Sequence, residues 1–246
     1  MNTTPNRTRT DGALHYRQLA VRIANRAQAQ YEIAVLDHVT ARILDAHPEA
    51  THLTFDHHDH TRELDLHSLW TTHHGGTEEL LLDIHRDADF AGLDFAEITD
   101  DLCDALAGRR SAAWSAVRPE PRPDRRWVLD LPPADRIARI ADLVHAHHPR
   151  AGVLAVDLRS DPVRVVGVTL LDDAGLAKDV DARGDTPLWP AETERQITAL
   201  VQQIHALSHL AAHHLAYWGD SSDRSTAVLL LPMHPESAAS TANGVS

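Results

Sequence analysis

The chain carries one motif twice, as RILDAHPEA at residues 42–50 and as RIADLVHAHHPRA at residues 139–151. The two His-Pro pairs lie 101 residues apart. A second pair of segments, WVLDLP at residues 127–132 and AVLLLP at residues 227–232, repeats with an offset of 100. Self-similarity at one fixed period is typical of a duplicated folding unit. The sequence therefore predicts a tandem duplication.

Each copy is predicted to be an α-β-β-β-α-β unit. Apolar residues at helical spacing, alternating strands and Pro or Gly breaks predict the elements of the first copy: helix 13–46, strands 51–56, 62–71 and 79–85, helix 94–114 and strand 126–131. The same signals predict those of the second copy: helix 133–148, strands 152–158, 163–171 and 177–181, helix 190–217 and strand 226–231. The predicted fold class is α+β, with antiparallel sheets, helices packed on one face and a pseudo-two-fold relation between the copies.

The domain boundaries follow from the repeat and from the composition of the ends. Residues 1–11 and 234–246 are rich in Thr, Ser, Ala, Asn and Pro without apolar periodicity, which predicts disordered tails. Residues 12–132 form the first predicted repeat, with a long basic N-terminal helix. Residues 133–233 form the second.

Composition excludes several classes of protein. With 246 residues and 43% hydrophobic content the chain can bury a core. With a single cysteine, Cys103, the chain cannot form an internal disulfide, and this residue is expected to pack in the core. A cytoplasmic location is expected because no secretory apolar segment follows the N-terminus. The only lysine, Lys178, lies in no P-loop, and G-x-G-x-x-G and G-x-S-x-G motifs are absent. No cofactor is therefore expected.

Charge is distributed unevenly. Residues 1–31 contain five arginines and one acid, a net charge of +4, whereas the whole chain carries −13, which leaves −17 for the remainder. Residues 45–107 hold sixteen acids against two arginines, together with nine of the nineteen histidines. Such a body repels nucleic-acid phosphate. Nucleic-acid binding is thus expected only at the N-terminal helix or at the arginine-rich residues 109–126.

Two segments resemble metal-ligand clusters and provide weak metal candidates: His58, His60, Asp83, His85 and Asp87. The first segment, DHHDH at residues 56–60, lies in a predicted hairpin turn, about 30 Å along a strand from the next histidine pair at residues 73–74. The second lacks the oxygen ligands that a calcium loop requires. Both are interpreted as solvated turns. A third set, His205, His209 and His213, is predicted to face solvent, because it lies opposite the apolar stripe of its helix.

Two surfaces are interpreted as interaction candidates. One is the basic helix, where Arg17, Arg22 and Arg26 accompany an apolar stripe; the stripe comprises Tyr16, Ala20, Ile23, Ala27 and Tyr31. This helix either packs back on the acidic body or reaches a partner. The other is the acidic face of a predicted strand in the first repeat; it comprises Glu63, Asp65 and His67.

The leading functional hypothesis is a non-enzymatic, acidic binding, adaptor or chaperone-like protein. It would engage a protein partner through the first repeat or the basic N-terminal helix. The element order resembles that of acidic secretion-chaperone-like domains, an analogy of topology that no residue motif supports. One alternative is a metal-dependent hydrolase using His and Asp residues of the first repeat, and another is a nucleic-acid accessory factor using the N-terminal arginines. A homodimer through the apolar second repeat is a further expectation, and no membrane association is expected.

Overall fold

A computed structural model gives the fold of the chain. The residues that it describes are 5–58, 63–73, 76–87, 90–108, 111–120, 126–160, 163–171, 177–181, 187–207, 215–217 and 226–232.

The helices and strands form two successive groups along the chain. The first group comprises α1 (Pro5–Ala46), β1 (His52–His58), β2 (Glu63–Thr72), β3 (Glu78–Asp83), α2 (Phe95–Ala105), a 3₁₀ helix (Ala112–Ala116), β4 (Val117–Pro119) and β5 (Trp127–Asp130). The second comprises α3 (Arg136–His145), β6 (Ala151–Asp157), β7 (Arg164–Leu171), β8 (Ala177–Asp181), α4 (Ala191–Ala206), β9 (Leu215–Tyr217) and β10 (Thr226–Leu230). Within the described residues, the predicted mixture of helix and antiparallel sheet is confirmed.

Each group forms one five-stranded antiparallel sheet. The strand order is β3-β2-β1-β5-β4 in the first sheet and β8-β7-β6-β10-β9 in the second. Both sheets have a β-bulge at the same point of their central hairpin. In the first, Thr54 and Phe55 pair with Ser68 and Leu66, so that His67 is the extra residue. In the second, pairing steps from Gly167 to Val165 and leaves Val166 as the extra residue.

Two helices end earlier than their apolar spacing predicts. Helix α2 ends at Ala105, and the 3₁₀ helix that follows is capped by the Ser111 side chain. Helix α4 ends at Ala206, and β9 lies in the stretch predicted to continue it. The helix prediction is wrong at residues 112–114, which belong to the 3₁₀ helix, and at Leu215–Tyr217, where Leu215 pairs with Leu229 of a neighbouring strand. Conversely, α1 begins at Pro5, earlier than predicted.

Two apolar cores stabilise the fold. The first joins buried residues of α1 and α2, such as Leu36 and Ile98, to Leu53 and Leu69 of the first sheet. The second joins α3 and α4 to the second sheet in the same manner. Leu207, directly after α4, belongs to the first core.

Buried polar contacts also join the two groups. The Arg136 side chain, on α3, donates to Gln203 Oε1 of α4 at 2.8 Å and forms an ion pair with Asp37 of α1. Arg195 of α4 lies 3.0 Å from the Asp130 carboxylate at the end of β5. These contacts tie α1 and the first sheet to helices of the second group. Among the described residues, none of the helices combines the length and apolar character that a membrane crossing needs.

Candidate functional site

A long stretch of α1 is exposed to solvent. Every residue from 14 to 28 is exposed, whereas burial begins at residues 29 and 30. Eight large hydrophobic residues are exposed in the described part of the chain, and six of them lie on this helix: Leu14, Tyr16, Leu19, Val21, Ile23 and Tyr31. We refer to residues 14–28 as the exposed half of α1.

The apolar stripe of the exposed half faces away from the core. At about 100° per residue, Tyr16, Ala20, Ile23 and Ala27 fall within an arc of about 60°. Further along α1, the solvent-facing residues continue this line; they are Tyr31, Ala34, His38 and Ala41. The buried residues Leu36 and Ile43 lie on the other side. The helix therefore presents one side to its own body and an apolar stripe to solvent.

Two of the three arginines of the exposed half flank this stripe. Arg17, Arg22 and Arg26 are all exposed. By the same angular spacing, Arg17 and Arg26 lie about 90° to either side of the centre of the stripe, whereas Arg22 lies about 130° from it. One expectation from the sequence is that the basic helix packs back on the acidic body. Residues 14–28 do not pack in this way, because none of them is buried.

The outer face of the first sheet is the second candidate surface. Along β2, buried Leu64 and Leu66 alternate with exposed Glu63 and Asp65. The leucines belong to the core, so the acids point to the opposite face. The predicted acidic face of the first repeat therefore has its counterpart in the described structure.

A small polar pocket of about 250 Å³ lies on this outer face. Its lining includes His52, whose ring stacks on Trp70 with an interplanar angle of 2°. Trp70 Nε1 donates to Ser68 Oγ at 2.8 Å, and Thr54 Oγ1 lies 2.6 Å from the same oxygen. Burial is the main cause that lowers the pKa of His52, and Arg118 adds to it, against the opposing effects of Glu78 and Asp130. The histidine is thus favoured in its neutral form.

Four side chains from β1, β2 and the turn after β3 converge elsewhere on the first sheet. His67 Nε2 lies 2.8 Å from Asp56 Oδ2, and His67 Nδ1 lies 3.1 Å from His85 Nε2. His85 Nε2 is 3.7 Å from Asp65 Oδ1. We refer to Asp56, Asp65, His67 and His85 as the His/Asp cluster.

Strand pairing explains how the cluster forms. Asp56 and Asp65 are direct cross-strand partners of β1 and β2. His67 is the bulged residue of β2, and a bulge redirects a side chain relative to regular alternation. The Ile84 backbone N–H donates to the His67 carbonyl at 2.9 Å, which places His85 beside His67.

The other metal candidates do not join this cluster. His58 is exposed at the end of β1, opposite Glu63. The carboxylate of Asp83 accepts the His85 N–H at 3.1 Å, and that of Asp87 accepts the Asp83 N–H at 2.7 Å. These two acids therefore close the turn after β3. His60 lies outside the described residues.

The sheet brings together residues of the His/Asp cluster that belong to separate features in the sequence. The sequence predicts Asp65 and His67 on an acidic face, and His85 at the end of the third strand within a candidate cation loop. In the antiparallel meander, β3 runs back along β2 and returns residue 85 to the end of the sheet where β1 and β2 meet. If the third predicted strand is paired with the second, His85 is expected close to His67.

Two further residues show the effect of burial on ionisation. His205 is half-buried, which corrects the prediction that it faces solvent; burial lowers its pKa and the nearby Arg26 lowers it further. His209 and His213 lie outside the described residues. Burial raises the pKa of the Cys103 thiol, which packs beside the first core. This thiol is kept protonated, in agreement with the expected core role.

Comparison of the chain with protein-family models, with curated proteins and with solved structures finds no match.

Proposed function

We propose that this protein is a non-enzymatic binding or adaptor protein that engages a partner protein through α1. The segment that docks is the exposed half together with the solvent-facing residues Tyr31 and Ala34. The partner presents an apolar groove with an acidic rim. The observation that carries the proposal is the uninterrupted exposure of residues 14–28 on a helix whose other half is part of the core.

The side chains of the exposed half suit a helix-in-groove interaction. Such helices insert anchors at spacings of i, i+3 or i+4 and i+7. Tyr16, Ala20 and Ile23 have these spacings, and Tyr16 is 72% and Ile23 62% exposed. Contiguous exposed apolar surface on a water-soluble fold marks an interaction site. The small alanines between the larger anchors allow a close approach of the partner backbone.

Charge favours an acidic partner over a basic one. Arg17 and Arg26 flank the apolar stripe, and like-charge contacts across an interface oppose association. Nucleic acid also carries negative charge, but the −17 of the remaining chain would stand close to its phosphates. The apolar stripe between the arginines favours a protein groove, since phosphate contacts do not use it.

The organisation of the two groups of elements supports a tandem duplication. Both sheets have the same strand order, and both have a bulge at the equivalent residue of the central hairpin. We infer that the groups are copies related by a pseudo-two-fold axis. A cytoplasmic location and a homodimer through the apolar second repeat are further parts of this proposal.

Affinity capture with matched variants tests the proposed function. The full-length protein is immobilised, and nuclease-treated extract of the native host is passed over wild type, Ile23→Ser and Leu230→Ser. One protein is expected to be retained by wild type and Leu230→Ser and lost by Ile23→Ser. Its retention should weaken as salt rises, because the arginine contacts are screened.

Circular dichroism and light scattering define the controls. All three proteins should keep the same helix content, since Ile23 lies outside the core. Retention of the same protein by Ile23→Ser would contradict the proposal, as would retention of nucleic acid alone. An Ile23-dependent dimer of this chain would assign the exposed half to self-association instead.

A further inference from the structure

We propose that the His/Asp cluster is a binding site for one divalent transition-metal ion of the zinc type. Asp65, His67 and His85 are the ligands, and Asp56 orients His67 from behind. This inference is independent of the proposed role of α1, because the cluster lies on the outer face of the first sheet.

The hydrogen bond to Asp56 fixes the ring of His67 for ligation. An ionised carboxylate can only accept hydrogen bonds, so the proton of a neutral His67 ring is on Nε2, 2.8 Å from Asp56 Oδ2. Nδ1 is then the unprotonated nitrogen, and its lone pair points toward His85 Nε2, 3.1 Å away. Metal-binding histidines commonly donate their second ring N–H to a carboxylate in this way.

The spacing of the ligand atoms suits a tetrahedral ion. The ligand atoms of Asp65, His67 and His85 all lie within 4.8 Å of one another. With bond lengths of about 2.0 to 2.2 Å, zinc holds its ligand atoms about 3.4 Å apart. The distances of 3.1 Å between the two imidazole nitrogens and 3.7 Å from His85 to Asp65 lie on either side of this value.

The ligand types and exposure define the class of ion. Two imidazoles and one carboxylate favour zinc and neighbouring transition metals, whereas calcium and magnesium require mostly oxygen ligands. His67 is only 12% exposed, but His85 and Asp65 are about half exposed, which leaves the site open to solvent. Three protein ligands leave a fourth position for water or a small anionic ligand.

The second sheet provides an internal comparison. At the position of the Asp56 and Asp65 pair it has Asp157 opposite Arg164, and at the bulge it has Val166 in place of His67. An arginine and a valine cannot ligate a metal ion. The fold alone therefore does not require histidine at the bulge, and the ligand set is specific to the first sheet.

Cobalt and zinc titrations of matched histidine variants test the site. Tag-free, full-length protein is dialysed against chelator and titrated with Co²⁺, followed by visible absorption, and with Zn²⁺ in competition with a chromophoric chelator. The variants are His85→Ala and His73→Ala. His73 is the control, because it is 54% exposed, close to the 52% of His85, and also contacts one carboxylate, that of Glu79 at 2.7 Å.

Wild type and His73→Ala are expected to bind one ion per chain with the same affinity and with Co²⁺ bands of a four- or five-coordinate site. Asp56→Asn should weaken binding about 10- to 100-fold, as expected for loss of a partner behind a ligand, and His85→Ala should weaken it further. Absence of a stoichiometric ion in folded wild type would overturn the proposal. Equal loss in His73→Ala and His85→Ala would also overturn it, because binding would then be spread over the many histidines.

Discussion

The two halves of α1 belong to one continuous helix but have opposite surroundings. In the C-terminal half, Ile33, Leu36 and Ile43 are fully buried against the first sheet and α2. In the exposed half, no residue from 14 to 28 is buried, although Ile23 is as apolar as its counterparts in the core. The buried residues and the exposed stripe lie on opposite sides of the helix. The comparison separates apolar residues that stabilise the fold from those that are available to a partner.

The largest effect expected from this comparison concerns stability. Leu36→Ala removes a fully buried side chain and should lower the free energy of unfolding by about 2–5 kcal/mol. Ile23→Ala removes an exposed one and should change it by less than about 0.5 kcal/mol. Urea unfolding followed by circular dichroism measures both. Similar losses in the two variants would show that the exposed half is buried in solution.

A smaller effect is expected where the buried half of α1 meets α3. Arg136→Ala removes the ion pair with Asp37 and leaves the buried Gln203 side chain without its donor. We expect a loss of about 1–3 kcal/mol. Arg139→Ala, an exposed arginine one turn along α3, is the matched control and should have little effect. Equal unfolding midpoints for both variants would contradict the proposed attachment of α1 to the second group.

The smallest expected effect concerns the pKa of His205, which lies near Arg26 of the exposed half of α1. Burial and Arg26 hold the pKa of His205 below its ordinary value. As pH falls below about 6.5, the unfolded chain takes up this proton first, so the folded state loses stability. Arg26→Ala should raise the pKa of His205 partway, while Arg22→Ala should leave it unchanged. An NMR titration of the His205 ring measures this, and no difference between the variants would place Arg26 away from α4.

Much of the framework could be predicted from the sequence. The strong apolar periodicity of α3 and the alternation of β2 determine their structure locally. Predictions were less accurate where tertiary pairing decides. The short strands β4 and β9 form only because β5 and β10 each leave an edge to pair with.

The candidate surfaces differ in how far the sequence reveals them. The arginines and the apolar stripe of α1 lie on one helix, so helical spacing alone identifies them. The His/Asp cluster combines Asp56, Asp65, His67 and His85 through the order of three strands and a bulge. Neither the strand order nor the bulge can be read from local spacing. The sequence therefore indicates His85 as a metal candidate and Asp65 and His67 as parts of an acidic face, but not that they meet.

Photochemical crosslinking from the exposed half of α1 is the most direct test of its proposed role. Tyr16 is replaced by the similarly shaped photoreactive residue benzoylphenylalanine in full-length protein expressed in the native host, with the same replacement at Leu230 as the control. Illumination should link position 16 to one acidic protein, and position 230 should not give that product. The absence of a crosslink at position 16, or a crosslink only to another part of the same chain, would contradict the proposal that α1 docks on a partner protein.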